Sequence, residues 1–97
     1  LDNKFLVFSG IGNHKTFISM LNKYKFNILK DFEFPDHYNY SDRDINKIIE
    51  EAKNLGCDII TTEKDYVRIN NLKSKRIKYI KSELNIINEE KLIKSIF

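Results

Sequence analysis

An unbroken apolar run, Phe5-Leu6-Val7-Phe8, stops at Ser9-Gly10-Ile11-Gly12, and this junction constrains the chain more than any other feature. It reads as a buried strand running into a glycine turn. Asn13 stands where it can cap a following helix, whose Phe17, Ile18, Leu21 and Tyr24 fall near helical spacing. Phe26 to Phe34 alternates as Phe26, Ile28 and, after a break, Phe32 and Phe34, as expected of a second, partly solvated strand. Ser41 with Asp44 makes a capping-box pattern, and Ile45, Ile48, Ile49, Ala52 and Leu55 form one apolar stripe that ends at Gly56. Cys57 to Thr61 reads as a third strand, Thr62 to Asn70 as a short helix or turn, and Ile77 to Ile80 as a fourth strand. Asn88 opens an expected terminal helix through Leu92, Ile93 and Ile96. The order βαβαβ, a short helix, then βα predicts the α/β class: a mainly parallel four-stranded sheet flanked by helices, with right-handed crossovers.

The scale agrees with that reading. Ninety-seven residues suit one α/β domain spanning 1–97 with a single core. Hydrophobic residues at 41% and charged residues at 32% are a globular balance. The net charge of +3 comes from lysines interleaved with acids, without the Lys/Arg block of a nucleic-acid arm, so no nucleic-acid partner is expected. Cys57 is the only cysteine, which excludes an intramolecular disulfide and suits a small buried thiol in a reducing compartment. No apolar stretch approaches the ~20 residues of a membrane span, and Leu1-Asp2-Asn3-Lys4 lacks the shape of a signal peptide. The chain opens without a methionine and enters a strand almost at once, as expected of the C-terminal piece of a longer protein.

Three loops follow strands, where ligands of α/β sheets gather. Gly10-Ile11-Gly12-Asn13 is either a tight turn that permits positive φ or a set of backbone donors for an anion. In Phe34-Pro35-Asp36-His37-Tyr38 the proline ends the strand and leaves a carboxylate beside an imidazole, whose unperturbed pKa of ~6.5 suits proton chemistry. The bland account has Asp36 capping local backbone and His37 packed as a loop residue. A metal site needs three or four ligands, and with His14 far away in sequence and no Cys cluster none is expected. Thr62-Glu63-Lys64-Asp65 can be a capping box, with Thr62 accepting from the Asp65 N–H and Asp65 reaching back. That leaves Glu63 and Lys64 in the first helical turn at the carboxyl end of a strand. No Gly-x-x-x-x-Gly-Lys-Ser/Thr phosphate loop occurs in the chain.

Read together, the Phe-Ser-Gly-Ile-Gly-Asn turn, the Phe-Pro-Asp-His-Tyr loop and the Thr-Thr-Glu-Lys-Asp-Tyr-Val-Arg segment closely resemble the C-terminal domain of the tetraacyldisaccharide 4'-kinases of lipid A synthesis, from Phe5 to about Glu83. Two positions depart from the family pattern. His14 stands where a proline usually follows the turn, and Tyr38 where a second histidine is common. The resemblance implies a kinase of Gram-negative bacteria, acting at the cytoplasmic face of the inner membrane. It would transfer the γ-phosphoryl group of ATP, with Mg²⁺, to the 4'-hydroxyl of an acylated disaccharide 1-phosphate lipid.

It also implies that the phosphate loop, the magnesium-binding acids and the membrane anchor belong to an N-terminal domain absent from this sequence, so this chain alone should hold no ATP or Mg²⁺ and be catalytically incomplete. His37 maps onto the family histidine that pairs with an N-terminal aspartate, the base for the sugar hydroxyl, and Asp36 would hold the imidazole or the loop. Gly10, Gly12, Thr62, Glu63, Lys64 and Asp65 carry over as structural or interdomain residues. Two other classes remain open: a non-catalytic α/β docking module, and an independent metal phosphohydrolase.

Overall fold

The structure, a computed structural model, describes residues 3–69 and 77–80. The terminal helix expected from Asn88 lies outside them, as does Asn70. Strands β1 (Lys4–Ser9), β2 (Asn27–Glu33), β3 (Asp58–Thr62) and β4 (Ile77–Ile80) alternate with helices α1 (His14–Lys23), α2 (Asp42–Leu55) and α3 (Glu63–Arg68). They form one four-stranded sheet in the order β2-β1-β3-β4, and every pairing is parallel. This is the expected α/β class.

Helices cover both faces of the central strand β1, and this explains why its apolar run is unbroken rather than alternating. Phe5 and Val7 pack with Phe17 and Leu21 of α1, whereas Leu6 and Phe8 pack with Ile45, Ile48 and Ala52 of α2. Cys57 is buried with the α2 layer, and burial raises its thiol pKa.

The break in β2 is a β-bulge. Phe5 pairs with Ile28 but Leu6 pairs with Lys30, so Leu29 is the extra residue. The bulge turns the strand over. Phe26 and Ile28 pack on the α1 side, whereas Phe32 and Phe34, of the same parity, pack on the α2 side. Asp31, the partner of Val7, consequently faces α1, and Lys30 reaches Glu51 of α2 at 2.6 Å.

Helix α2 forms as its caps dictate. The Ser41 side chain accepts from the Asp44 N–H, Asp44 accepts from the Ser41 N–H, and Gly56 closes the helix at φ 66°. The expected Asn13 cap does not form: at φ −122° and ψ 50° its side chain makes no capping hydrogen bond. An N-cap needs extended backbone to carry its oxygen over the first turn. At the other end of α1, Lys25 takes the left-handed turn usually given to glycine, at φ 64°.

Candidate functional site

The chain leaves β1 toward β2 on one side and later returns to β3 on the other, so the carboxyl ends of β1 and β3 form a topological switch point. All three loops singled out in the sequence meet there. The Phe34 N–H donates to the Ser9 carbonyl at 2.8 Å and the His37 N–H to the Gly10 carbonyl at 3.0 Å, which lays the Pro35–Tyr38 turn over the end of β1. Asp65 arrives from α3.

Asp65 is fully buried and consumes the local donors. Its Oδ1 accepts from the Gly10 N–H and the Tyr40 hydroxyl, both at 2.9 Å, and its Oδ2 accepts from the Thr62 hydroxyl at 2.5 Å. Arg68 stands 3.4 Å from Oδ1. Burial first, and then the Asp65 charge, push the Tyr40 phenol far above its ordinary pKa, so it remains a donor. These contacts correct the expectation for Asp65. Thr62 does accept from the Asp65 N–H, at 3.1 Å, but the carboxylate turns inward to Gly10 and Tyr40 instead of closing the box on the Thr62 backbone. A buried charge takes the most complete donor set within reach.

The glycine turn also differs from both sequence readings. Among the described residues Gly56 is the only glycine with positive φ, so Gly10 is required by space. A Cβ there would stand 3.0 Å from the Pro35 carbonyl and 3.1 Å from the Tyr40 hydroxyl. Its N–H serves the Asp65 carboxylate rather than an exogenous anion. Gly12 is exposed, and a Cβ there would lie 3.8 Å from the Asp36 carboxylate.

The Asp36-His37 pair is open to solvent, with side chains 55% and 78% exposed. His37 Nε2 lies 3.7 Å from Asp36 Oδ2, beyond hydrogen-bond range. The backbone of His37 is held at φ 61°, and the Tyr38 N–H closes the turn onto the Pro35 carbonyl at 3.1 Å. A non-glycine residue in this region costs roughly 1–2 kcal/mol, and such strain gathers at functional sites. The ring's Nδ1 accepts from Arg68 Nη2 at 2.9 Å. Arg68 was not selected from the sequence, although its spacing of three from Asp65 was the available signal. Glu63 and Lys64 are exposed on α3.

A second histidine pair lies at the same edge and was not anticipated. His14 is buried, its Nδ1 2.5 Å from the Ser9 hydroxyl and its Nε2 2.6 Å from Asp31. A carboxylate only accepts, so Nε2 carries a hydrogen, and in the neutral ring Nδ1 accepts from Ser9.

Comparison with known proteins gives this edge a family. The profile of the tetraacyldisaccharide-1-P 4'-kinase family matches residues 1–97. The chain belongs to that family. It is 54% identical over 91 residues to the tetraacyldisaccharide 4'-kinase of Pelagibacter ubique (strain HTCC1062), covering 94% of this chain and 29% of that protein. The tetraacyldisaccharide 4'-kinase of Rickettsia typhi (strain ATCC VR-144 / Wilmington) is 42% identical over 93 residues, covering 96% of this chain and 29% of its own length. That of Rickettsia akari (strain Hartford) is 40% identical over the same number of residues. The chain therefore spans less than a third of the length of these curated kinases. No solved structure matches it. Among the described residues, no helix is long and apolar enough to cross a membrane.

Proposed function

We propose that this chain is the C-terminal part of a tetraacyldisaccharide 4'-kinase that uses ATP to phosphorylate the 4'-hydroxyl of a tetraacylated disaccharide 1-phosphate at the cytoplasmic face of the inner membrane. The names borne by its relatives support this, and so does the large share of their length that it leaves uncovered. That share has room for the phosphate loop, the magnesium-binding acids and the membrane anchor.

The residues described here do not themselves fit a magnesium–nucleotide site. Asp65 has both oxygens engaged by protein donors, Asp36 is exposed, and no three potential ligands are grouped among the described residues. In this reading nucleotide and metal are held by the N-terminal domain that the resemblance implies, and this chain alone does not turn over. Phosphoryl transfer rests on positioning and charge stabilisation, and this chain supplies positioning.

His37 offers its exposed edge to a carboxylate of the N-terminal domain. That carboxylate takes the proton of the sugar hydroxyl. Asp36 adds negative charge beside the ring. The observation that carries this reading is the exposure of His37, held in a left-handed turn at the switch point while the neighbouring buried polar groups are consumed by the fold. In the assembled kinase carrying this segment, His37→Ala should lower turnover on the order of 100-fold, and unchanged turnover would overturn the assignment. Mg-ATP titrated calorimetrically into the 97-residue chain should show no tight binding. Tight binding would overturn the division of labour between domains.

A further inference from the structure

Thr62, the N-cap of α3, and Asp65 and Arg68 within it follow one another at intervals of three, so each side chain neighbours the next. The first two are accounted for by the buried carboxylate. The third reaches out of that network to the histidine loop. Arg68 Nη1 donates to the Gly10 carbonyl at 3.1 Å, the same oxygen that accepts the His37 N–H, and Nη2 donates to the imidazole Nδ1 at 2.9 Å. Arg68 is 22% exposed and tethered by Asp65, so its guanidinium is held from behind.

A guanidinium has only donors and keeps its charge in proteins, which fixes the direction of the bond. His37 must present a lone pair at Nδ1, and the neutral ring then carries its hydrogen on Nε2, the edge nearer Asp36. We propose that Arg68 is a positioning residue that sets the tautomer of His37, making Nε2–H the donor to the partner carboxylate. The inference rests on the assignment of His37 given above. The proton of the sugar hydroxyl then goes to that carboxylate, and His37 keeps its own hydrogen throughout, because its one free lone pair is occupied by Arg68. The Thr-x-x-Asp-x-x-Arg spacing thereby acquires a purpose that a helix cap alone leaves unexplained.

The test reads the tautomer directly. In the 97-residue chain labelled with ¹⁵N, long-range proton–nitrogen correlation above the histidine titration range should show His37 with an unprotonated Nδ1 and a protonated Nε2. Arg68→Met, which keeps an apolar stem but no donor, should move both nitrogens toward averaged shifts, and Arg68→Lys should restore most of the original pattern. A wild-type ring already averaged or protonated at Nδ1 overturns the proposal without any variant, as do unchanged shifts in a folded Arg68→Met chain. In the assembled kinase Arg68→Met should lower kcat on the order of tenfold with KM for ATP unchanged, and an unchanged kcat overturns its positioning role. Should His37→Ala leave turnover intact while the tautomer follows Arg68, the assignment of His37 fails and the tautomer lock stands.

Discussion

Two histidines flank the carboxyl edge of this sheet, and the protein treats them in opposite ways. The side chain of His14 is 3% exposed, and both of its nitrogens are spent within the fold, one on Ser9 and the other on Asp31. The ring staples the end of β1 to β2 across the start of α1. The side chain of His37 is 78% exposed, with one nitrogen engaged by Arg68 and the other 3.7 Å from its nearest carboxylate. A Ser-His-Asp chain resembles catalytic machinery on paper, yet Ser9 is fully buried and has no route to a substrate. The proposed role falls to the open pair because catalysis needs a polar group that the fold has not already satisfied. The contrast extends to the carboxylates: Asp65 is consumed by protein donors, whereas Asp36 faces water.

The contrast breaks most visibly at Asp65. Asp65→Ala leaves the Gly10 N–H, the Tyr40 hydroxyl and Arg68 without their shared acceptor, and should cost about 3 kcal/mol or more, read as a fall in the urea midpoint at constant slope. His37→Gly separates function from stability. In the assembled kinase its turnover should fall on the order of 100-fold, about 2.7 kcal/mol of barrier. The chain should nevertheless hold or gain up to about 1 kcal/mol of stability in urea, since glycine relieves the left-handed backbone. His14→Ala should do the reverse, costing about 2 kcal/mol by leaving Ser9 unpartnered and a cavity under α1, with turnover per folded molecule retained. If His14→Ala proved harmless to folding and His37→Gly destabilising, the two histidines would have exchanged roles.

The smallest effects concern α2. Ser41→Ala should cost about 1 kcal/mol through the lost cap. The Ser41 N–H, foremost among its partners, holds the Asp44 carboxyl below its ordinary range, and the Tyr38 hydroxyl helps. A depressed carboxylate contributes stability that is complete above its unfolded pKa and vanishes as pH falls through the folded value. Asp44→Asn should therefore flatten the acid side of the stability curve below about pH 4, measured by urea midpoints at stepped pH.

Helix α2 was legible in its bounds and in most of its buried face, because the Ser41–Asp44 box, the apolar stripe and Gly56 act within one stretch of chain, although Leu55 of that stripe is exposed. The convergence of the three loops was legible in outline, since each follows a parallel strand and parallel strands gather their carboxyl ends on one edge. The Asn13 cap failed for a backbone reason that residue type does not reveal. Arg68 was hidden because its partners, Gly10 and His37, lie 58 and 31 residues away in the chain.

Short-range chemistry thus settled the α/β class, the strand sequence and the family motifs: hydrophobic period, proline and glycine act within a few residues. Which side chains meet was decided by long-range packing. The unpaired Leu29 reverses the faces of β2 and turns Asp31 toward His14, and the close approach at Gly10 admits the Asp65 carboxylate. A one-residue shift in register exchanges the two faces of a strand, and although the alternation breaks after Ile28, the unchanged parity of Phe32 and Phe34 hides the reversal. The bulge is set by the pairing of β2 with β1 and by the helices that cover both faces.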